Sequence, residues 1–141
     1  MTLAKWLLLP VFIHVGLTTW IGLRAVAGRI ASVKSGETRI KDIATDNRAW
    51  PENVRKLGNN FDNQFDVPMM WYGCVAMLIA TGLADWVEVV LSWTFVALRI
   101  AHSLVHTGGN FVPARMRLFL AAFGAMFLMW AWFALRLIVI G

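Results

Sequence analysis

Arg99, His102, Ser103 and His106 stand at offsets of 0, 3, 4 and 7, which puts all four on one face of an α-helix. An arginine at the centre of an otherwise apolar segment costs about 3 kcal/mol to insert into a bilayer. Its guanidinium must therefore be paired, or face water or a ligand. A second group, Asn59, Asn60, Asp62, Asn63 and Asp66, precedes the next apolar run back along the chain, with Asn63 and Asp66 sharing a face at i, i+3. A third, Arg115 and Arg117, opens the last apolar run. Two readings of these groups stay open. In one, Arg99 and Asp66 form an ion pair that fixes helix packing, while His102 and Ser103 bond to neighbouring backbone. In the other, the groups converge on a polar pocket for an anionic ligand. His102 and His106, at i, i+4, could chelate zinc, but no cysteine or acidic third ligand has suitable spacing, and no metal is expected.

The elements that carry these residues are apolar. Of the 141 residues 59% are hydrophobic and 15% charged, against about 25% charged in a soluble domain. Asp, Glu, Lys and Arg are missing altogether from Trp6 to Leu23, from Val67 to Ala84 and from Leu118 to Leu135, three runs of 18 residues each. At about 1.5 Å per residue each run approaches the ~30 Å hydrocarbon core of a bilayer. A fourth run, Trp86 to His106, is long enough but contains Glu88, Arg99, His102 and His106. One such run could be a buried helix of a soluble protein; four that fill most of the chain cannot. The expected fold is all-α: one transmembrane four-helix bundle with helices over about 3–31, 62–83, 86–107 and 114–140. The expected loops are 32–61, long enough for a short helix or two around Trp50-Pro51, and 108–113, where Gly108, Gly109 and Pro113 stop a helix. The short turn after Leu83 predicts that the second and third helices are antiparallel neighbours. His14 and Thr18, one turn apart, should face other helices rather than lipid. Lys5 before an apolar run imitates a secretory signal, but no Ala-x-Ala site follows, and a retained first helix is expected. Cys74, the single cysteine, lies within an apolar run and reads as packing.

Positive charge sets the expected orientation. Eight of the 13 Lys and Arg residues lie between Arg24 and Lys56, and Arg115 and Arg117 follow the third helix, whereas the intervening turn holds only Asp85 and Glu88. By the positive-inside rule the first and third loops are cytoplasmic and both termini lie on the other side. The net charge of +5 follows from this bias. Glu37, Asp42, Asp46 and Glu52 interleave the basic residues, which fits anionic headgroups and gives no basic stripe for nucleic acid. The bilayer itself is the expected partner.

Two local patterns resemble the MAPEG family, the membrane-associated proteins of eicosanoid and glutathione metabolism. One is Asn63-Gln-Phe-Asp66-Val-Pro68, similar to the family's Asn-x-x-Glu followed by Pro at the start of its second helix. The other is Arg99 with His102 and His106 three and seven positions on, followed by Asn110 and Arg115, which looks most like a bacterial branch. The resemblance implies a homotrimer in a bacterial inner membrane that binds glutathione at the cytoplasmic side and conjugates or reduces lipophilic electrophiles. It assigns ligand binding to Asn63, Asp66, Arg99, His102 and His106, and catalysis to Arg115 and Arg117. The sequence departs from the family where catalytic members carry an arginine, at Asn59, and where Asp66 replaces glutamate. Those departures leave a second reading, a non-catalytic scaffold or an accessory subunit of a larger membrane complex.

Overall fold

The computed structural model describes residues 2–140 and is helical throughout. The order is α1 (Leu3–Lys34), α2 (Ile40–Ile43), a 3-10 turn (Asn47–Ala49), α3 (Glu52–Asp62), α4 (Val67–Thr81), α5 (Trp86–Thr107) and α6 (Val112–Ile140). By length and apolarity α1, α5 and α6 can each cross a membrane. The 15 residues of α4 span about 22 Å. The stretch 62–83, expected as one helix, is interrupted: α3 stops at Asp62, four residues make turns, and α4 starts at Val67 with Pro68 in its first turn. Proline disfavours helical backbone in the residue before it and supplies no amide of its own, so a helix running toward it breaks upstream.

Helix α5 is central. It makes the most extensive pairing in the bundle with α6 and also packs on α1 and α3, while α3 lies along the loop-one end of α1. There Gly22 lets the ring of Phe61 lie on the α1 backbone; a Cβ at position 22 would meet it at 2.8 Å. Helices α4 and α5, expected as close antiparallel neighbours, have backbones that approach at few positions. They meet instead through Trp71, whose ring stacks on Phe95 at 4.9 Å and whose indole N–H donates to Ser92 Oγ at 3.1 Å.

The dry core includes Leu7, Trp71, Leu78, Phe95, Met126, Met129 and Phe133. His14 turns inward, fully buried, with Nδ1 2.7 Å from the Tyr72 hydroxyl. At the opposite end from loop one, Asp85 caps α5 in a capping box with Glu88 and takes hydrogen bonds from the Trp132 indole and the Arg136 guanidinium. Burial pushes the Asp85 carboxyl up, but these bonds, led by Trp132 and joined by the Val87 amide, outweigh it and hold the group at about 2. This pairing ties the start of α5 to the end of α6 across 51 residues of chain.

Pro10 sits inside α1. Lacking an N–H, it leaves the carbonyl of Trp6, its i−4 partner, without a helical donor. The indole of Trp93 on α5 donates to that carbonyl at 3.2 Å. The interhelical bond thus stands in for the helical one that proline cannot supply. Trp93→Phe is therefore expected to destabilise the folded protein by about 1–3 kcal/mol, the cost of an unsatisfied buried carbonyl. In a Pro10→Ala background, where the substituted residue has an amide to donate to the Trp6 carbonyl, most of that cost should vanish. Unfolding of the four proteins of this cycle in detergent measures the coupling, and strictly additive costs would refute the compensation.

Candidate functional site

The site is built at the loop-one end, where the break between α3 and α4 faces α5 and the start of α6. The break frees backbone carbonyls that a continuous helix would have bonded. Amides 63 to 65 are satisfied within the turns by Asn59, Phe61 and Asp62. The carbonyl of Asn63 instead accepts from Arg99 Nη2 at 2.6 Å, and the same nitrogen lies 3.3 Å from Gln64 Oε1. Arg99 is fully buried and its Nε has no partner.

No ion pair joins Arg99 to Asp66 among the described residues. Asp66 is the N-terminal boundary residue of α4 and is exposed. The expected carboxylate partner is thus replaced by a main-chain carbonyl. A carbonyl at the C-terminal end of α3 carries the negative end of the helix dipole, so the guanidinium finds its counter-charge in backbone. Around it Asn60, Gln64 and Ser103 form a closed network: Gln64 Nε2 donates to Asn60 Oδ1 at 2.9 Å and to Ser103 Oγ at 3.2 Å, and Ser103 Oγ donates to Asn60 Oδ1 at 3.2 Å. Gln64, only 1% exposed, is a structural residue that sequence reading passed over as a spacer within the Asn63–Asp66 motif.

Two clefts open beside this network. The larger, about 330 Å³, is lined by Asn59, Asp62, Asn63, His106 and Arg115. The smaller, about 190 Å³, is lined by Asn63, His102, Arg115, Met116 and Phe119. Asn63 and Arg115 line both. His106 is buried with Nδ1 unpartnered. His102 Nδ1 lies 3.1 Å from the carbonyl of Arg115; a carbonyl only accepts, so Nδ1 donates, while Nε2 is unpartnered. The two imidazoles meet edge to face at 5.7 Å. Arg115 Nη1 donates to Asn110 Oδ1 at 2.7 Å.

Of the residues singled out in the sequence, Asn59, Asp62, Asn63, His102, His106 and Arg115 therefore come together around the clefts. Arg99 lies behind them, in contact with the backbone of the break. Asp66 and Arg117 are exposed and line neither cleft. Met116 and Phe119 were not anticipated. Phe119 follows Arg115 by one helical turn, so the i, i+4 rule applied to Arg115 would have found it.

The MAPEG family profile matches residues 7–135. No curated protein and no solved structure matches the chain. The matched span takes in all of α5, most of α1 and α6, the broken α3–α4 segment and both clefts. The chain belongs to the MAPEG family, and with it to the multi-pass integral membrane proteins built as four-helix transmembrane bundles.

Proposed function

We propose that the paired clefts bind glutathione and present its thiol to a lipophilic electrophile delivered by the bilayer. The observation that carries this reading is that one cation, Arg115, lines both the polar and the more apolar cleft. The polar cleft offers amides at Asn59 and Asn63 for peptide groups, the Asp62 carboxylate for an ammonium, and an unpartnered His106 nitrogen. The adjoining cleft offers Met116 and Phe119 to an apolar acceptor. Bound there, glutathione supplies a thiolate nucleophile for conjugation or reduction. Arg115 favours that charge, since a guanidinium beside a thiol lowers its pKa from ~8.5 and raises the thiolate fraction at neutral pH. His102 holds the Arg115 backbone, and Arg99 holds the break that presents Asn59, Asp62 and Asn63.

The assembly in this reading is a homotrimer in a bacterial inner membrane. Loops one and three are cytoplasmic, so glutathione approaches from the cytoplasm, and both termini lie opposite. Apolar residues such as Phe12, Leu23, Leu120 and Phe127 are exposed on the single chain, and lipid and neighbouring subunits cover them. A second reading, a non-catalytic scaffold or an accessory subunit of a larger membrane complex, draws support from Asn59. That neutral amide lines the polar cleft at the position where catalytic family members carry an arginine. Co-purification of a stoichiometric partner would favour the second reading, and turnover by a free trimer would end it.

Titration of the purified protein with glutathione, followed by tryptophan fluorescence in nanodiscs, tests the first reading; no saturation up to millimolar glutathione would refute it. Arg115→Ala is expected to weaken binding by roughly 10- to 100-fold, the worth of about 1.5–3 kcal/mol for a hydrogen bond to a charged group, with thermal stability close to the parent. Arg99→Ala is expected to lose binding together with a marked fall in melting temperature, because it releases the α3–α4 break. Loss of binding in Arg99→Ala at unchanged stability would instead make Arg99 a direct ligand contact.

A further inference from the structure

We propose that Asn110 is the positioning residue for Arg115, and that it must be a neutral amide for the site to attract an anion; this rests on the reading of the clefts as a glutathione site. Helix α5 ends at Thr107, and two glycines carry the chain to Asn110, whose φ is 48°, the one positive value outside glycine among the described residues. Asparagine tolerates this left-handed conformation better than most side chains. In it the Asn110 amide donates to Val105 O at 2.9 Å, closing the C-terminal end of α5. The side chain meanwhile reaches forward over the first turn of α6, and Oδ1 accepts from Arg115 Nη1 at 2.7 Å. One residue thus fastens the end of α5 to the side chain of α6 that lines both clefts.

Arg115 is held twice. Its carbonyl accepts from His102 Nδ1 at 3.1 Å, and its guanidinium is anchored by Asn110. An arginine side chain carries about 2 kcal/mol of rotamer entropy, and anchoring it before ligand arrives removes part of the ordering cost of binding. The chemistry of the anchor matters as much as its position. A carboxylate at 110 would grip the guanidinium more strongly but cancel its charge. An amide oxygen takes one N–H and leaves the positive charge, and the other N–H groups, to the ligand.

Two substitutions separate the parts of this proposal. Asn110→Gly keeps the left-handed backbone, which glycine adopts freely, and deletes the anchor. Asn110→Asp keeps both backbone and anchor and adds a negative charge. The readouts are the Arg115 side-chain N–H resonances in ¹⁵N-arginine-labelled protein, assigned by their loss in Arg115→Lys, and glutathione affinity. In Asn110→Gly the Arg115 resonances should collapse toward the averaged position of a free guanidinium, and affinity should fall roughly 5- to 10-fold, about one hydrogen bond's worth of preorganisation. In Asn110→Asp the resonances should stay dispersed while affinity falls at least as far, separating loss of charge from loss of order. Arg115 resonances unchanged in Asn110→Gly would overturn the anchoring, and undiminished affinity in Asn110→Asp would overturn the requirement for a neutral amide. A parent protein that binds no glutathione, yet shows the Arg115 resonances collapse in Asn110→Gly, would keep the anchoring and refute the ligand.

Discussion

The bundle depends on a guanidinium that bonds to backbone. Arg99 lies eight residues before the last residue of α5, about 12 Å by helical rise, and is fully buried. A cation at that depth is sustained only by groups that supply negative potential without solvent. The Asn63 carbonyl does so, because it sits at the C-terminal end of α3 where helix carbonyls accumulate partial negative charge. The dependence is mutual. Without the guanidinium the broken segment would leave a carbonyl unsatisfied inside the bundle, and without the break the guanidinium would have no acceptor. A single guanidinium nitrogen, Nη2, reaches both the Asn63 carbonyl and the Gln64 side-chain oxygen.

The same rule recurs at the other end of the molecule. Pro10 opens a gap in the hydrogen-bond ladder of α1, and Trp93 fills it from α5. In both places an interruption in one helix is answered by a side chain of α5. This helix is therefore the one whose sequence mixes Glu88, Ser92, Arg99, His102, Ser103 and His106, all buried, into a membrane-crossing segment. Its polar residues are assigned by depth: a capping carboxylate at one end, a hydroxyl for the Trp71 indole, the cation at the break, and the imidazoles at the clefts.

Much of this was legible in the amino-acid order. Runs without charge mark lipid-facing helices because an ionised group in hydrocarbon is too costly to scatter, and the spacing from Arg99 to His106 fixes a common face because the helix has 3.6 residues per turn. What stayed hidden were partners with no side-chain signature. The acceptor for Arg99 is a main-chain carbonyl, and every residue has one, so the pattern of Asp66 and Arg99 pointed to the wrong oxygen. The break at 63–66 lies upstream of Pro68 by a margin that local preference does not set. The Arg136–Asp85 pair and the Trp93–Trp6 bond join positions far apart in sequence, and only the packing of whole helices brings them together. Asn110 was visible as a residue of the third loop, but its backbone conformation was not.

Depth also explains why the arginine that dominates the sequence pattern is not the one that lines the clefts. An anion that exchanges with water must reach its site without crossing the hydrocarbon, which favours a cation at the helix end. Arg115 lies in the first turns of α6 and is half-buried, His106 stands one residue from the end of α5, and Asn59, Asp62 and Asn63 close α3. All of them lie at or near helix ends, at the loop-one end of the bundle. Arg99 is about two helical turns deeper and has already committed its strongest bond to the backbone. A ligand that reached Arg99 would have to use the N–H groups that the backbone bond leaves over, Nε among them, and would have to reach them at that depth. The inner arginine, bonded to backbone, and the outer one, half-buried at the clefts, therefore differ by depth along the helices before any ligand is considered.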